Sequence, residues 1–179
     1  TALVAYELID YLTASTSSVP AGVKVTVIPV LNPDGLAKVT GSAERFAKED
    51  VSPLASVRES GRFNGNKVDL NRNFDCKWQA DAKWQNKNVS GGTAAFSEPE
   101  SAALKAYVEA HKPAGVVVWY SAAGGVFASK CDGDILAETR AIMNVYAKAS
   151  GYKANDNYDF YEVTGDMVNW LAGQGIPGV

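Results

Sequence analysis

The chain has 179 residues, of which 46% are hydrophobic and 21% are charged, a composition typical of one globular domain with a sizeable core. Its formal net charge of −3 provides no basic surface for nucleic acid. No apolar run reaches the roughly 20 residues of a membrane-spanning helix. We therefore expect a single soluble domain over residues 1–179 that binds neither nucleic acid nor membrane.

The N-terminal third of the chain predicts one helix, one strand and a long polar segment. Apolar residues at helical spacing indicate a helix from Thr1 to Leu12. A run rich in β-branched residues predicts a mostly buried strand from Val23 to Leu31, followed by the turn sequence Asn32-Pro33-Asp34-Gly35. Residues 36–67 are polar and irregular, and such a stretch inside a compact domain is more often functional than idle.

The remainder of the chain alternates between predicted helices and strands. Ser97-Glu98-Pro99-Glu100 has the pattern of a capping box and predicts a helix that continues to about His111. Residues 115–120 form a short apolar run, which suits a strand buried on both faces. Further helices are predicted over residues 135–150 and 165–172, and residues 176–179 resemble the approach to another strand.

This alternation predicts an α/β domain of three layers, with a mixed, largely parallel sheet and helices on both faces. The strands Val23–Leu31 and Gly115–Tyr120 are expected to be central in that sheet. Both ends of the sequence stop inside elements that need partners. We therefore expect the domain to be incomplete at both termini.

The segment from Arg62 to Phe74 contains the side chains best suited to binding a ligand. Two arginines and several amides on a short loop-strand unit can present forked donors to a planar carboxylate, which arginine binds through two parallel hydrogen bonds. An isolated Asn-Arg-Asn triplet is also common in surface loops with ordinary ion pairs. The segment alone therefore leaves both interpretations open.

Three motifs in order resemble the M14 family of zinc carboxypeptidases. They are Asn32-Pro33-Asp34-Gly35, then Val68-Asp69-Leu70-Asn71-Arg72-Asn73-Phe74, and then Ser97-Glu98-Pro99-Glu100, and the similarity continues through residues 160–166. The resemblance implies a carboxypeptidase-like fold and a secreted or periplasmic protein. It also implies an enzyme that removes C-terminal residues from peptides, or acts on a related substrate such as a peptidoglycan stem, by the attack of zinc-activated water.

The resemblance also assigns roles to individual residues. It implies that Asn71 and Arg72 bind the terminal carboxylate of the substrate. Arg62 matches the arginine that polarises the scissile carbonyl and stabilises the oxyanion, although Arg58 lies nearby in the same polar loop. Tyr161 matches the mobile tyrosine that closes over the bound C-terminal residue. A tyrosine at the edge of the core is the alternative interpretation of that position.

The sequence departs from the family at the metal site. The family's His-x-x-Glu motif would precede Thr1, its general-base Glu would follow Val179, and Tyr120 occupies the position of the third zinc-ligand His. A catalytic zinc needs about three protein ligands and a water. The only histidine, His111, is predicted at a helix end, where a cation suits the helix dipole.

We therefore expect no zinc in this chain and no peptidase activity from it, although the parent family uses zinc. Two other functions remain open. One is a non-catalytic module that binds a carboxylate or a peptide, and the other is an engineered core fragment without a ligand.

Two cysteines bear on the cellular compartment. Cys76 and Cys131 could form one disulfide in a secreted protein or remain two buried thiols in a cytosolic one. In the family that the chain resembles, the segments preceding them converge near the site. A disulfide would then tie the carboxylate-binding loop to the strand that bears Tyr120.

Overall fold

The computed structural model describes residues 1–121 and 123–179, which divide into two compact units, residues 1–65 and residues 66–179. Helices and strands alternate in the second unit, so the predicted α/β class is confirmed. The single domain over residues 1–179 stays a prediction. No helix in the described part of the chain is long and apolar enough to cross a membrane.

Three α-helices form the first unit: α1 (Ala2–Ala14), α2 (Pro33–Thr40) and α3 (Ala55–Ser60). The first confirms the predicted N-terminal helix. It buries Tyr6, whose ring meets that of Phe46 edge-on at a centroid distance of 5.8 Å. Arg45 lies over the same ring and forms an ion pair with Asp10. The helix is therefore held to the loop after α2 by one aromatic pair and one exposed ion pair.

The predicted strand from Val23 to Leu31 is wrong, because the structure has no regular strand there. Val23 is 52% exposed and Ile28 is 47% exposed. β-branched residues favour strands mainly through packing against neighbouring strands, and these side chains lack that burial. The predicted turn that follows is also wrong, because Asn32 and Pro33 begin α2.

The described part of the second unit contains four short strands and three α-helices: β1 (Asp81–Trp84), β2 (Lys87–Ser90), α4 (Pro99–His111), β3 (Gly125–Phe127), α5 (Ala137–Ser150), β4 (Lys153–Asn155) and α6 (Met167–Gly173). The strands β1 and β2 form an antiparallel hairpin, in which Ala82 pairs with Val89. The strands β3 and β4 pair in parallel, with Val126 opposite Ala154. The predicted parallel pairing thus exists, but in a small sheet.

The predicted central strand over residues 115–120 is only partly formed. Val116 and Val118 donate main-chain hydrogen bonds to the carbonyls of Pro177 and Val179, at 2.9 and 2.8 Å. Residues 176–179 therefore do continue into a strand-like pairing, as predicted. The prediction that both faces of residues 115–120 are buried is wrong, because Val117 is 40% exposed. In the described part of the chain this segment is paired along one side.

Two apolar clusters stabilise the second unit. Val126, Met143, Ala147 and Val179 form one buried cluster, which joins α5 to β3 and to the C-terminal segment. The second consists of three mutually contacting aromatic rings, with centroid distances of 5.2 to 5.6 Å: Phe74, Phe96 and Trp170. This second cluster lies beside the polar segment that the sequence singled out, since Phe74 ends that segment.

Helix α4 begins differently from the prediction. Its N-cap residue is Glu98 rather than Ser97, and no side chain caps the first turn, so the predicted capping box is wrong. The hydroxyl of Ser97 instead donates to the Glu98 carboxylate at 2.8 Å. Pro99 occupies the first turn, as expected of a residue that lacks an N–H.

Candidate functional site

The loop that carries Arg62 is held by side chains of α2 and its cap. The Asn32 amide donates to the carbonyls of residues 61 and 62, at 3.2 and 3.3 Å. The Lys38 ammonium donates to the carbonyls of residues 63 and 64, at 3.1 and 3.0 Å. The N–H of Gly65 donates to the Asp34 carboxylate at 2.7 Å. Five consecutive loop residues are thus fixed through their main chain.

Close backbone packing explains two glycines of this region. A Cβ on Gly35 would lie 2.1 Å from the carbonyl oxygen of Gly61, and a Cβ on Gly61 would lie 2.3 Å from a methyl of Val39. No side chain can be added at either position without moving the loop. The Arg58 guanidinium, the alternative to Arg62, donates to the carbonyls of residues 52 and 53.

In the second unit, the motif from Val68 to Phe74 contains a 3₁₀ turn from Leu70 to Arg72. Asp69 caps this turn, because its buried carboxylate accepts the N–H of Asn71 at 3.1 Å. The turn gives Asn71 and Arg72 different surroundings. The first is half-buried and the second is 1% exposed.

The Asn71 side chain is oriented by two donors. Its Oδ1 accepts a hydrogen bond from the hydroxyl of Tyr120 at 3.0 Å and one from the main-chain N–H of Met167 at 3.4 Å. Because a main-chain N–H can only donate, the atom facing it must be the amide oxygen. Within the described part of the chain, Nδ2 donates to no other group, so the amide NH₂ is available to a ligand.

Arg72, the next residue, is buried. Its Nε donates to the carbonyl of Lys83 at 2.7 Å, and a terminal nitrogen donates to the carbonyl of Asn71. Arginine carries more N–H donors than these two bonds use. Burial raises the pKa of the neighbouring Asp166 carboxyl, and the Arg72 charge acts in the opposite direction.

Residues 165–167 lie along the same motif. The N–H of Phe74 donates to the Gly165 carbonyl at 2.9 Å, and the Gly165 N–H donates to the Cys76 carbonyl at 2.7 Å. A Cβ on Gly165 would lie 2.4 Å from the carbonyl oxygen of Arg72, and its φ of +65° also favours glycine. Asp166 then caps α6 by accepting the N–H of Asn169 at 3.2 Å.

Sequence reasoning missed the structural role of Asn73, which is fully buried. Its NH₂ donates to the carbonyls of residues 91 and 94 and to the Ser97 hydroxyl, at 2.7 to 3.0 Å. Its Oδ1 accepts the N–H of Glu98 and the hydroxyl of Ser101. One amide therefore connects the motif to the segment before α4 and to its first turn.

Glu98 was also missed as a structural residue. Glu98 is 4% exposed, and its carboxylate accepts hydrogen bonds from the Asn66 amide and the Ser97 hydroxyl, each at 2.8 Å. The signal in the sequence was the pairing of an amide-rich motif with a Ser-Glu dipeptide. Local capping rules assigned that dipeptide to the helix instead.

Tyr161 lines an open cavity of about 580 Å³. The other described lining residues are Gln85, Asn86, Ala123, Tyr158 and Phe160. The Tyr158 ring contacts those of Phe160 and Tyr161 edge-on, at centroid distances of 5.1 and 5.2 Å. Tyr161 thus belongs to an aromatic wall, whose Phe160 is 71% exposed.

The structure brings some of the predicted site residues together. Asn71 and Arg72 are adjacent, and Tyr120 contacts Asn71. Tyr161 belongs to the same unit, but Asn71 and Arg72 are not among the residues that line its cavity. Arg62 lies in the first unit. Its convergence with the other three stays a prediction.

The described residues do not fit a zinc ion. Among residues 1–121 and 123–179, no three His, Cys, Asp or Glu side chains are grouped so that they could hold a metal. His111 lies in the last turn of α4, where its ring contacts that of Tyr107 at 4.3 Å. The Tyr120 phenol donates to Asn71. We derive no chemical step through zinc.

Cys76 and Cys131 form a disulfide, with their Cα atoms 5.7 Å apart. This decides between the two alternatives that the sequence left open. The bond joins the chain just after the Val68–Phe74 motif to the loop after β3. Cys131 also packs against Gly173 of α6. A Cβ added to Gly173 would lie 3.3 Å from the Cβ of Cys131.

Comparisons with known proteins identify the family and the fold of this chain. The family model described as zinc carboxypeptidase matches residues 2–177. The structure is similar to murein-tripeptide amidase MpaA from Escherichia coli O157, with 21% identity and a TM-score of 0.58 over 85% of this chain. It is also similar to carboxypeptidase A from Helicoverpa armigera, with 22% identity and a TM-score of 0.53 over 84% of this chain.

The matched regions are 56% and 40% of those two proteins' chains, respectively. At this level of identity the likeness shows the fold, which is therefore carboxypeptidase-like. No match was found among curated proteins.

Proposed function

This chain belongs to the zinc carboxypeptidase family, and we propose that its residues recognise the C-terminal carboxylate of a peptide. One observation carries the proposal. The Asn71 amide is fixed by two donors to its oxygen, so that its NH₂ can donate to an incoming anion. Charge-assisted hydrogen bonds to carboxylates are stronger than neutral ones, and a pre-oriented donor loses less entropy on binding.

Arg72 supplies the positive charge of the proposed site. Arg72 is buried, and its guanidinium keeps donors beyond the two bonds to the main-chain carbonyls of Lys83 and Asn71. A buried cation next to a surface donor favours an anion over a neutral group, because the dielectric constant is lower there than in water. We assign Tyr161 and its aromatic wall to the side chain of the bound C-terminal residue.

A titration tests carboxylate recognition. The ligands are acetyl-glycyl-phenylalanine and its C-terminal amide, which differ in the group that Asn71 is proposed to bind. We expect the acid to bind with a Kd of about 1 mM and the amide at least about tenfold more weakly, since few charge-assisted bonds are made. Equal binding of the two ligands would remove the carboxylate site.

A pair of matched variants locates the site. Asn71→Asp still accepts hydrogen bonds from Tyr120 and Met167, but it replaces the amide donor with a negative charge. It should abolish binding of the acid while leaving the fold intact. Asn144→Asp makes the same chemical change on an exposed position of α5 and should leave the Kd unchanged. Equal losses in both variants would point to net charge rather than to Asn71.

Hydrolysis is the second candidate function, and membership of the family favours it. The substrate would be a peptide C-terminus or a related stem peptide, as the names of the two similar structures suggest. Because the described residues do not fit zinc, we expect these 179 residues to release no phenylalanine from benzoyl-glycyl-phenylalanine, with or without added zinc. We expect the same of Tyr120→His, since one imidazole provides too few ligands. Zinc-dependent turnover would establish hydrolysis.

We also propose that the protein resides in an oxidising compartment, outside the cell or in a periplasm. The disulfide supports this, because such bonds persist mainly where thiols are not kept reduced. Mass spectrometry after alkylation without reductant tests it on protein from its natural source. Two alkylated cysteines would contradict the proposal.

A further inference from the structure

Tyr120 contacts the proposed site in a way that no sequence motif required. It follows directly after the segment in which Val118 pairs with Val179, which fixes the main chain from which it projects. Its side chain reaches across to Asn71, with 3.0 Å between the phenol oxygen and Oδ1. The residue as a whole is 42% exposed, so a ligand can approach beside it.

The second donor to Asn71 Oδ1, the main-chain N–H of Met167, is fixed in position but forms a long hydrogen bond. The N–H of Met167 is held at the start of α6, which Asp166 caps through Asn169. Its distance of 3.4 Å to Oδ1 is long for an N–H···O bond, whereas the Tyr120 bond is of ordinary length. The terminal torsion of asparagine has a broad energy minimum, so the weak bond alone leaves the amide free to turn.

The orientation of this amide decides what the site attracts. With Oδ1 towards Tyr120 and Met167, the NH₂ is presented to the ligand. With the amide reversed, its oxygen would face the carboxylate and repel it. The Tyr120 hydroxyl can accept a hydrogen bond as well as donate one, whereas the Met167 N–H can only donate, so the two groups together select the orientation in which Oδ1 faces both.

We propose that Tyr120 is a positioning residue, whose phenol holds the Asn71 amide with its NH₂ directed at the ligand carboxylate. The proposal rests on the proposed function of Asn71. Tyr120 occupies the position that matches a metal-ligating histidine of the family. Its proposed task is different, because it orients the Asn71 amide through a hydrogen bond. Loss of one neutral hydrogen bond corresponds to a fold-change of about 3 to 10 in Kd.

The experiment compares Tyr120→Phe with Tyr152→Phe, which removes a hydroxyl from an exposed tyrosine of the same unit. Each variant and the wild type are titrated with acetyl-glycyl-phenylalanine and with its amide. Tyr120→Phe should weaken binding of the acid by about 3- to 10-fold and leave binding of the amide unchanged. Tyr152→Phe should change neither.

The side-chain amide resonances of Asn71 provide a second measurement that a merely structural role would not move. They should shift in Tyr120→Phe and keep their positions in Tyr152→Phe. If the wild type binds acid and amide equally, the proposed function fails and the inference fails with it. If the wild type discriminates and Tyr120→Phe does so equally well, with unshifted Asn71 resonances, only the role of Tyr120 is overturned.

Discussion

Replacing Asn73 with alanine tests the central structural claim, that one buried amide connects the motif to the start of α4. The substitution removes five side-chain contacts, three made by the NH₂ and two by Oδ1. The two amide hydrogens share three acceptors, so about four hydrogen bonds are lost in effect. At about 1 kcal/mol each, Asn73→Ala should lower the free energy of unfolding by about 4 kcal/mol.

Tryptophan fluorescence is a suitable assay, because all four tryptophans lie in the second unit: Trp78, Trp84, Trp119 and Trp170. For a chain of this size, a loss of 4 kcal/mol corresponds to a fall in Tm of roughly 8 to 16 °C. Asn144→Ala is the control, since it removes the same amide from an exposed helical position and should change stability by a few tenths of a kcal/mol. A loss below about 1 kcal/mol in Asn73→Ala would refute the connecting role.

Three further predictions concern the segments around this motif. Gly165→Ala should destabilise the second unit by about 3 kcal/mol in urea unfolding, because the new Cβ meets the Arg72 carbonyl and the φ is positive. Burial raises the pKa of the Asp166 carboxyl, so its ionisation weakens folding as the pH rises from the usual range of an aspartate through that raised pKa. Asp166→Asn should therefore gain stability relative to the wild type over that rise, and parallel pH profiles of the two proteins would contradict this. Replacing Cys76 and Cys131 by serine removes a disulfide that closes a loop of 55 residues. The larger entropy of the unfolded chain should lower the free energy of unfolding by about 4 kcal/mol. An unchanged Tm would contradict this prediction.

Helices with strong local signals could be predicted from the sequence. The N-terminal periodicity gave α1 within a few residues, and the segment ending at Gly151 gave α5, where this glycine adopts a φ of +76°. These signals come from neighbours along the chain. The strand predicted over Val23–Leu31 failed because strand formation depends on pairing partners that a local run of β-branched residues does not specify.

The contacts that support Asn71 could not be predicted from the sequence. The resemblance assigns roles to Asn71 and Arg72 that stay predictions, but local spacing could not show that Tyr120 and Met167 bind one amide oxygen from 49 and 96 residues away. The same limit explains the wrong assignment of Ser97. Its hydroxyl satisfies the capping pattern in sequence, yet in the fold it contacts a buried carboxylate and the Asn73 amide.

The way in which the loop that carries Arg62 is held affects which substitutions this loop can accept during evolution. Asn32 and Lys38 bind carbonyl groups, which every amino acid possesses, at four successive positions. The course of the loop is therefore largely independent of which side chains occupy positions 62 and 63. Evolution could exchange the functional group at position 62 by single substitutions while the frame that presents it stays the same.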